Sequence, residues 1–134
     1  MSTRSTGLTK DAGWQVGVSR TLAQSPAAVW EFISGPRGLE LWLGAGARLS
    51  PEPGAPYETD AGVTGEVRGY RPGDRIRVTY GDTTVQVAVS AAGGGRSVLV
   101  FHQERMAGPE ERERQRAHWR GVMDQVVEAL DQLA

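Results

Sequence analysis

The C-terminal segment constrains the fold more than any other part of the chain. Trp119, Val122, Met123, Val126, Val127, Leu130 and Leu133 recur at steps of three and four residues. That spacing lays them along one face of an α-helix. Gly108-Pro109 opens the segment, and Glu110 and Glu111 fall where the positive end of the helix dipole favours them. A helix with so broad an apolar face must be covered, and the only surface elsewhere in the chain large enough to cover it is a sheet.

That sheet is legible from residue 47 onward. Val63, Gly65, Val67 and Gly69 alternate against Thr64, Glu66, Arg68 and Tyr70 over 63–71. Ile76, Val78 and Tyr80 share a face over 75–80, and Val85, Val87 and Val89 do so over 83–91. A last strand is predicted over 97–106 and a short one over 57–60. Pro72-Gly73-Asp74 sets proline's fixed φ before a glycine free to turn left-handed, and Gly81-Asp82 makes a tight hairpin. Short strands joined by such turns form an antiparallel meander.

Upstream, a strand over 14–22 places Trp14, Val16, Val18 and Leu22 on one face, with Arg20 in the same phase. Ser25-Pro26 then caps and starts a helix carrying Val29, Trp30, Phe32 and Ile33, which Gly35-Pro36 ends. A second short helix over 36–43 carries Leu39, Leu41, Trp42 and Leu43. Two short helices after one strand argue against a βαβ repeat. Residues 1–12, rich in Ser, Thr and Gly, read as a flexible arm, and 13–134 as one domain. The fold class is α+β: a curved antiparallel sheet wrapped around a long C-terminal helix.

Composition removes several chemistries. No cysteine is present, so disulfides, thiolate catalysis and thiolate-bound zinc are excluded. His102 and His118 are the only imidazoles, and no metal site or cofactor is expected. A net charge of −1 gives no general attraction to nucleic acid or an anionic membrane. No apolar run approaches the roughly 20 residues that span a bilayer, and the polar N-terminus lacks the core of a secretory signal. A cytoplasmic location is expected. Gly93-Gly94-Gly95 is a hairpin turn, since no helix follows to make it a phosphate cradle.

Several motifs in this order resemble the START-like, or SRPBCC, superfamily of helix-grip proteins, and within it the branch named for the activator of the heat-shock protein 90 ATPase. They are Arg20-Thr21 running into Ser25-Pro26-Ala27-Ala28-Val29-Trp30, then Leu39-Glu40-Leu41-Trp42-Leu43-Gly44. Gly65-Glu66-Val67 with Pro72-Gly73-Asp74-Arg75-Ile76 resembles the central hairpin, and His118-Trp119 with Val122 and Leu130 the closing helix. One departure is His118, where the branch often has glycine. The resemblance implies a helix-grip fold with a cavity between sheet and long helix, used in relatives for lipids and other apolar ligands. Some relatives are cyclases or dehydratases, and some are co-chaperones.

Candidate site residues follow from this reading. Trp30, Trp42 and Trp119 either line the cavity or pack the core, with Trp42 at the expected entrance. Phe101 and Met123 are expected ligand contacts, and Tyr57 and Tyr80 offer hydroxyls. Arg20 either points inward or reaches solvent from the strand end. His102 lies on the face opposite Leu99 and Phe101, and as a general base it would be tuned by Glu104; the alternative is a solvent-side histidine. Glu66 is the second acid-base candidate, against a solvated charge on a wet sheet face. The leading function is binding of a small apolar ligand, a lipid or aromatic metabolite, without catalysis. A cyclase- or dehydratase-type enzyme and a chaperone-associated interaction domain are the alternatives, and a homodimer remains open.

Overall fold

The structure, a computed structural model, describes residues 8–9 and 13–133. Seven strands are described in the order β1-β2-β7-β6-β5-β4-β3, each pair antiparallel. They are β1 Leu8–Thr9, β2 Gly13–Leu22, β3 Pro56–Glu58, β4 Thr64–Arg71, β5 Arg75–Tyr80, β6 Thr83–Gly93 and β7 Arg96–Met106. Between β2 and β3 lie α1 Pro26–Ser34 and α2 Pro36–Trp42, and α3 Pro109–Leu133 closes the chain. Of the arm expected over 1–12, Leu8–Thr9 pair with Gly13–Trp14 as an edge strand, and the remainder lies outside the described residues. This is the α+β helix-grip expected from the periodicities. No described helix is long and apolar enough to cross a membrane.

Strand register explains the core. Val67, Val78 and Val85 stand side by side across β4, β5 and β6, and the row continues through Gln103 of β7 to Val16 of β2. A second row runs Tyr70, Ile76, Val87, Phe101, Val18, and a third Val89, Leu99, Arg20. Every aliphatic residue from β4 to β7 in these rows is buried. Helix α3 lays Trp119, Val122, Met123, Val126, Ala129 and Leu130 against them, packing on β2 and β7. Each such side chain removed from water contributes about 1.5–3 kcal/mol before entropy is counted. Val127 is only half-buried and Leu133 is exposed, so the predicted stripe outruns the sheet at its end.

Helix α1 starts where Ser25 Oγ accepts from the Ala28 N–H at 3.2 Å, with Pro26 supplying the preset φ. Helix α2 then turns back along α1 so closely that only glycine fits at position 38. A β-carbon there would stand 2.0 Å from the Phe32 carbonyl oxygen. The Trp42 indole N–H donates to the Ile33 carbonyl at 2.9 Å and locks the pair. That junction brings the end of α2 against α3.

Candidate functional site

The end of α2, the end of β5 and the first turns of α3 enclose a cleft of about 370 Å³. Leu41, Trp42 and Leu43 form one wall, Tyr80 the floor, and Trp119 with His118 and Gln115 the opposite wall. Both tryptophans have their one donor engaged outside the cleft. Trp42 Nε1 bonds Ile33, and Trp119 Nε1 donates to Gln103 Oε1 at 2.9 Å. What they contribute to the cleft is therefore ring carbon. Glu40, Gln115 and His118 supply the polar rim.

Trp119 is held on three sides. Phe101 stacks on it at 5.1 Å and 21°, and His118 meets its edge at 5.0 Å and 69°. The third support is a buried polar chain. Gln103 Nε2 donates to Thr83 Oγ1 at 2.9 Å, and Thr83 Oγ1 donates to the Tyr80 carbonyl at 2.6 Å. One amide thus links the wall of the cleft to its floor through the sheet. The His118 ring stays open to solvent, and the desolvation it does undergo lowers its pKa, favouring the neutral imidazole.

Of the ligand contacts expected from sequence, Trp42, Tyr80 and Trp119 meet in this cleft. Phe101 and Met123 sit behind Trp119 in the core, both wholly buried. Trp30 packs edge-on against Tyr70 at 5.9 Å, on another part of the sheet. Tyr57 is buried, donates its hydroxyl to the Thr79 carbonyl at 2.5 Å, and has its pKa pushed up to about 12 by burial and then by nearby Tyr80. Arg20 points to the helix side of the sheet and reaches Asp124 of α3 at 2.8 Å, in an exposed pair. Such a pair contributes at most about 1 kcal/mol.

The two acid-base candidates lie on the other face of the sheet. His102 Nε2 is 2.7 Å from Gln15 Oε1, and its ring packs near Gly17. Burial lowers its pKa, Glu104 opposes that shift, and Arg77 reinforces it. Glu104 itself is taken up in an ion pair with Arg77. Glu66 pairs with Arg68 at 3.1 Å, both partly exposed. Among the described residues, no three His, Asp or Glu side chains stand close enough together to hold a metal ion.

Gln103, Gln115 and Glu40 are not among the site residues expected from the sequence. Gln103 did carry a signal, because it shares the period-two phase of Leu99 and Phe101, where an apolar residue belongs. A polar residue in such a phase needs a buried partner. Gln115 and Glu40 carry no local signal, being polar residues on helix surfaces.

Residues 23–133 match the family described as Activator of Hsp90 ATPase homolog 1-like protein. No curated protein matches the chain in sequence. Among solved structures, a Mesorhizobium loti protein is similar with a TM-score of 0.70 at 19% identity, over 90% of this chain and 98% of that one. An AHSA1-like protein from Aeromonas hydrophila is similar with a TM-score of 0.69 at 18% identity, over 89% and 93%. A Colwellia psychrerythraea protein described as the Aha1 dimer gives 0.70 at 11% identity, over 87% and 95%. At these identities the likeness establishes the fold.

Proposed function

The chain belongs to the Activator of Hsp90 ATPase homolog 1-like family, and from that premise we propose that it binds a small, largely apolar molecule in the cleft between α2, Tyr80 and α3. The observation that carries this reading is the orientation of Trp42 and Trp119. Their N–H groups are satisfied elsewhere and both side chains are buried, so the narrow edges they present to the cleft are ring carbon. A space of about 370 Å³ lies at the small end of the range for ligand sites. The rim of Glu40, Gln115 and His118 supplies at least as much of the lining as carbon does, so it sets the orientation of the ligand and shares in its affinity.

Binding without chemistry fits this geometry better than a cyclase or dehydratase. His102 and Glu66, the two acid-base candidates, stand on the sheet face away from α3, each engaged by a neighbour. Native mass spectrometry of the protein purified without denaturant, followed by organic extraction, tests the reading. A retained small molecule is expected in the wild type and lost in Gln115→Trp, which fills the cleft from the half-buried wall of α3 without entering the core. Retention that is equal in the variant would place the ligand elsewhere, and no retained molecule together with no binding of added apolar probes would end the proposal.

A further inference from the structure

Arg105 is the one described non-glycine residue with a positive φ, at 68°. Every other left-handed position described in this chain is a glycine. A β-carbon in that conformation costs about 1–2 kcal/mol, so an arginine there carries a strain that glycine would remove. The strain comes from a bulge: Glu104 and Arg105 of β7 together stand opposite the single residue Gln15 of β2, between the pairs Val16–Gln103 and Trp14–Met106. Regular alternation would send residue 105 into the interior behind Leu99, Phe101 and Gln103. The bulge turns it to the surface instead, where it is exposed.

The surface it reaches continues the cleft. A groove of about 270 Å³ starts at Tyr80, the floor of the cleft, passes Gly81, Asp82 and Thr83, and includes Arg105. From there a wider groove of about 560 Å³ leads around the β5–β6 hairpin to Arg68 and Arg77. Those two arginines are paired, with Glu66 and Glu104. Glu111, in the nearer groove, accepts from the Ala107 N–H at 2.8 Å. Asp82 lies in both grooves without forming an ion pair to Arg105. Among the described residues the Arg105 guanidinium has neither an ion-pair nor a hydrogen-bond partner, although it is placed in the groove at a cost to the backbone.

We infer that the ligand is an amphipathic anion, its apolar body in the Trp42–Trp119 cleft and its acid group held by Arg105 at the far side of Tyr80. This deepens the cleft reading and rests on it. A planar guanidinium suits a carboxylate or a phosphate-type group, each offering two oxygens to its fork.

The test is a tryptophan-fluorescence titration of the wild type and Arg105→Gly with decanoate and with 1-decanol, which share a body and differ in the acid group. The wild type should bind decanoate about tenfold more tightly, equivalent to about 1.4 kcal/mol. Arg105→Gly should lose that preference, bind decanol as before, and melt about 3 °C higher because the strain is gone. Arg105→Asn, whose side chain tolerates the left-handed backbone, serves as the second variant if glycine weakens folding. Equal affinity for the two probes in the wild type, or a preference that survives both substitutions, would overturn the inference while leaving the cleft intact. Failure of both probes to bind the wild type would overturn both readings.

Discussion

Replacing Gln103 by leucine tests whether the polar chain behind the cleft holds Trp119 in place. Gln103 is 3% exposed and stands in a row of valines, so leucine fits the site in volume and polarity. It removes two hydrogen bonds, one from Trp119 and one to Thr83. Thr83 keeps its bond to the Tyr80 carbonyl, but the indole N–H is left buried and unpaired. A stranded donor costs about 1–3 kcal/mol. The greater apolarity of leucine returns about 1 kcal/mol, leaving a net loss of up to about 2 kcal/mol. In a domain of this size that lowers Tm by up to about 8 °C. Trp119→Phe removes the donor and keeps an aromatic ring for Phe101 to stack on. In the double variant no N–H is stranded, so the two losses should fall short of additivity by about 1–2 kcal/mol. Urea denaturation followed by far-ultraviolet circular dichroism gives all four stabilities. Additive losses would refute the role assigned to this amide.

The Tyr57 phenol, held neutral by burial, should ionise near pH 12 in an ultraviolet phenolate titration, a step that Tyr57→Phe removes. Its pKa is raised in the fold above the ordinary 10.0, so its contribution to stability is complete below pH 10 and is lost as pH rises through about 12. Tyr57→Phe should flatten that alkaline decline, and an unchanged decline would deny Tyr57 the part. Gly38→Ala drives a methyl group to 2.0 Å from the Phe32 carbonyl oxygen and 2.8 Å from Ile33 Cα. Both are backbone atoms of α1, so α1 and α2 must separate, at about 3 kcal/mol. A urea midpoint within error of the wild type would show that the helices are not packed this closely.

Much of the fold could be read along the chain because each element buries one face. The period-two aliphatic residues of β5 and β6 and the three-and-four spacing from Trp119 to Leu130 are local patterns, and all three elements appear where those patterns lie. The edge strand at Leu8–Thr9 escaped because two residues are too few to show a period. The candidate site was only partly legible. Trp42 and Trp119 stood out by size, yet Trp30, equally large, faces Tyr70 instead. Nothing local separates the three, since which tryptophan meets which neighbour depends on where α2 and α3 end against the sheet.

The sequence by itself determined a meander, a pair of short helices and a closing helix whose apolar stripe demands a sheet, because backbone geometry turns residue spacing directly into a face. Only the tertiary structure decided that Gln103 meets Trp119, that Arg20 reaches Asp124 from 104 residues away, and that a bulge opposite Gln15 turns Arg105 outward. Those contacts depend on strand register and on the axial position of α3. Both are set by the packing of residues distant in the chain, and a shift of one residue in register would exchange every inward side chain for an outward one.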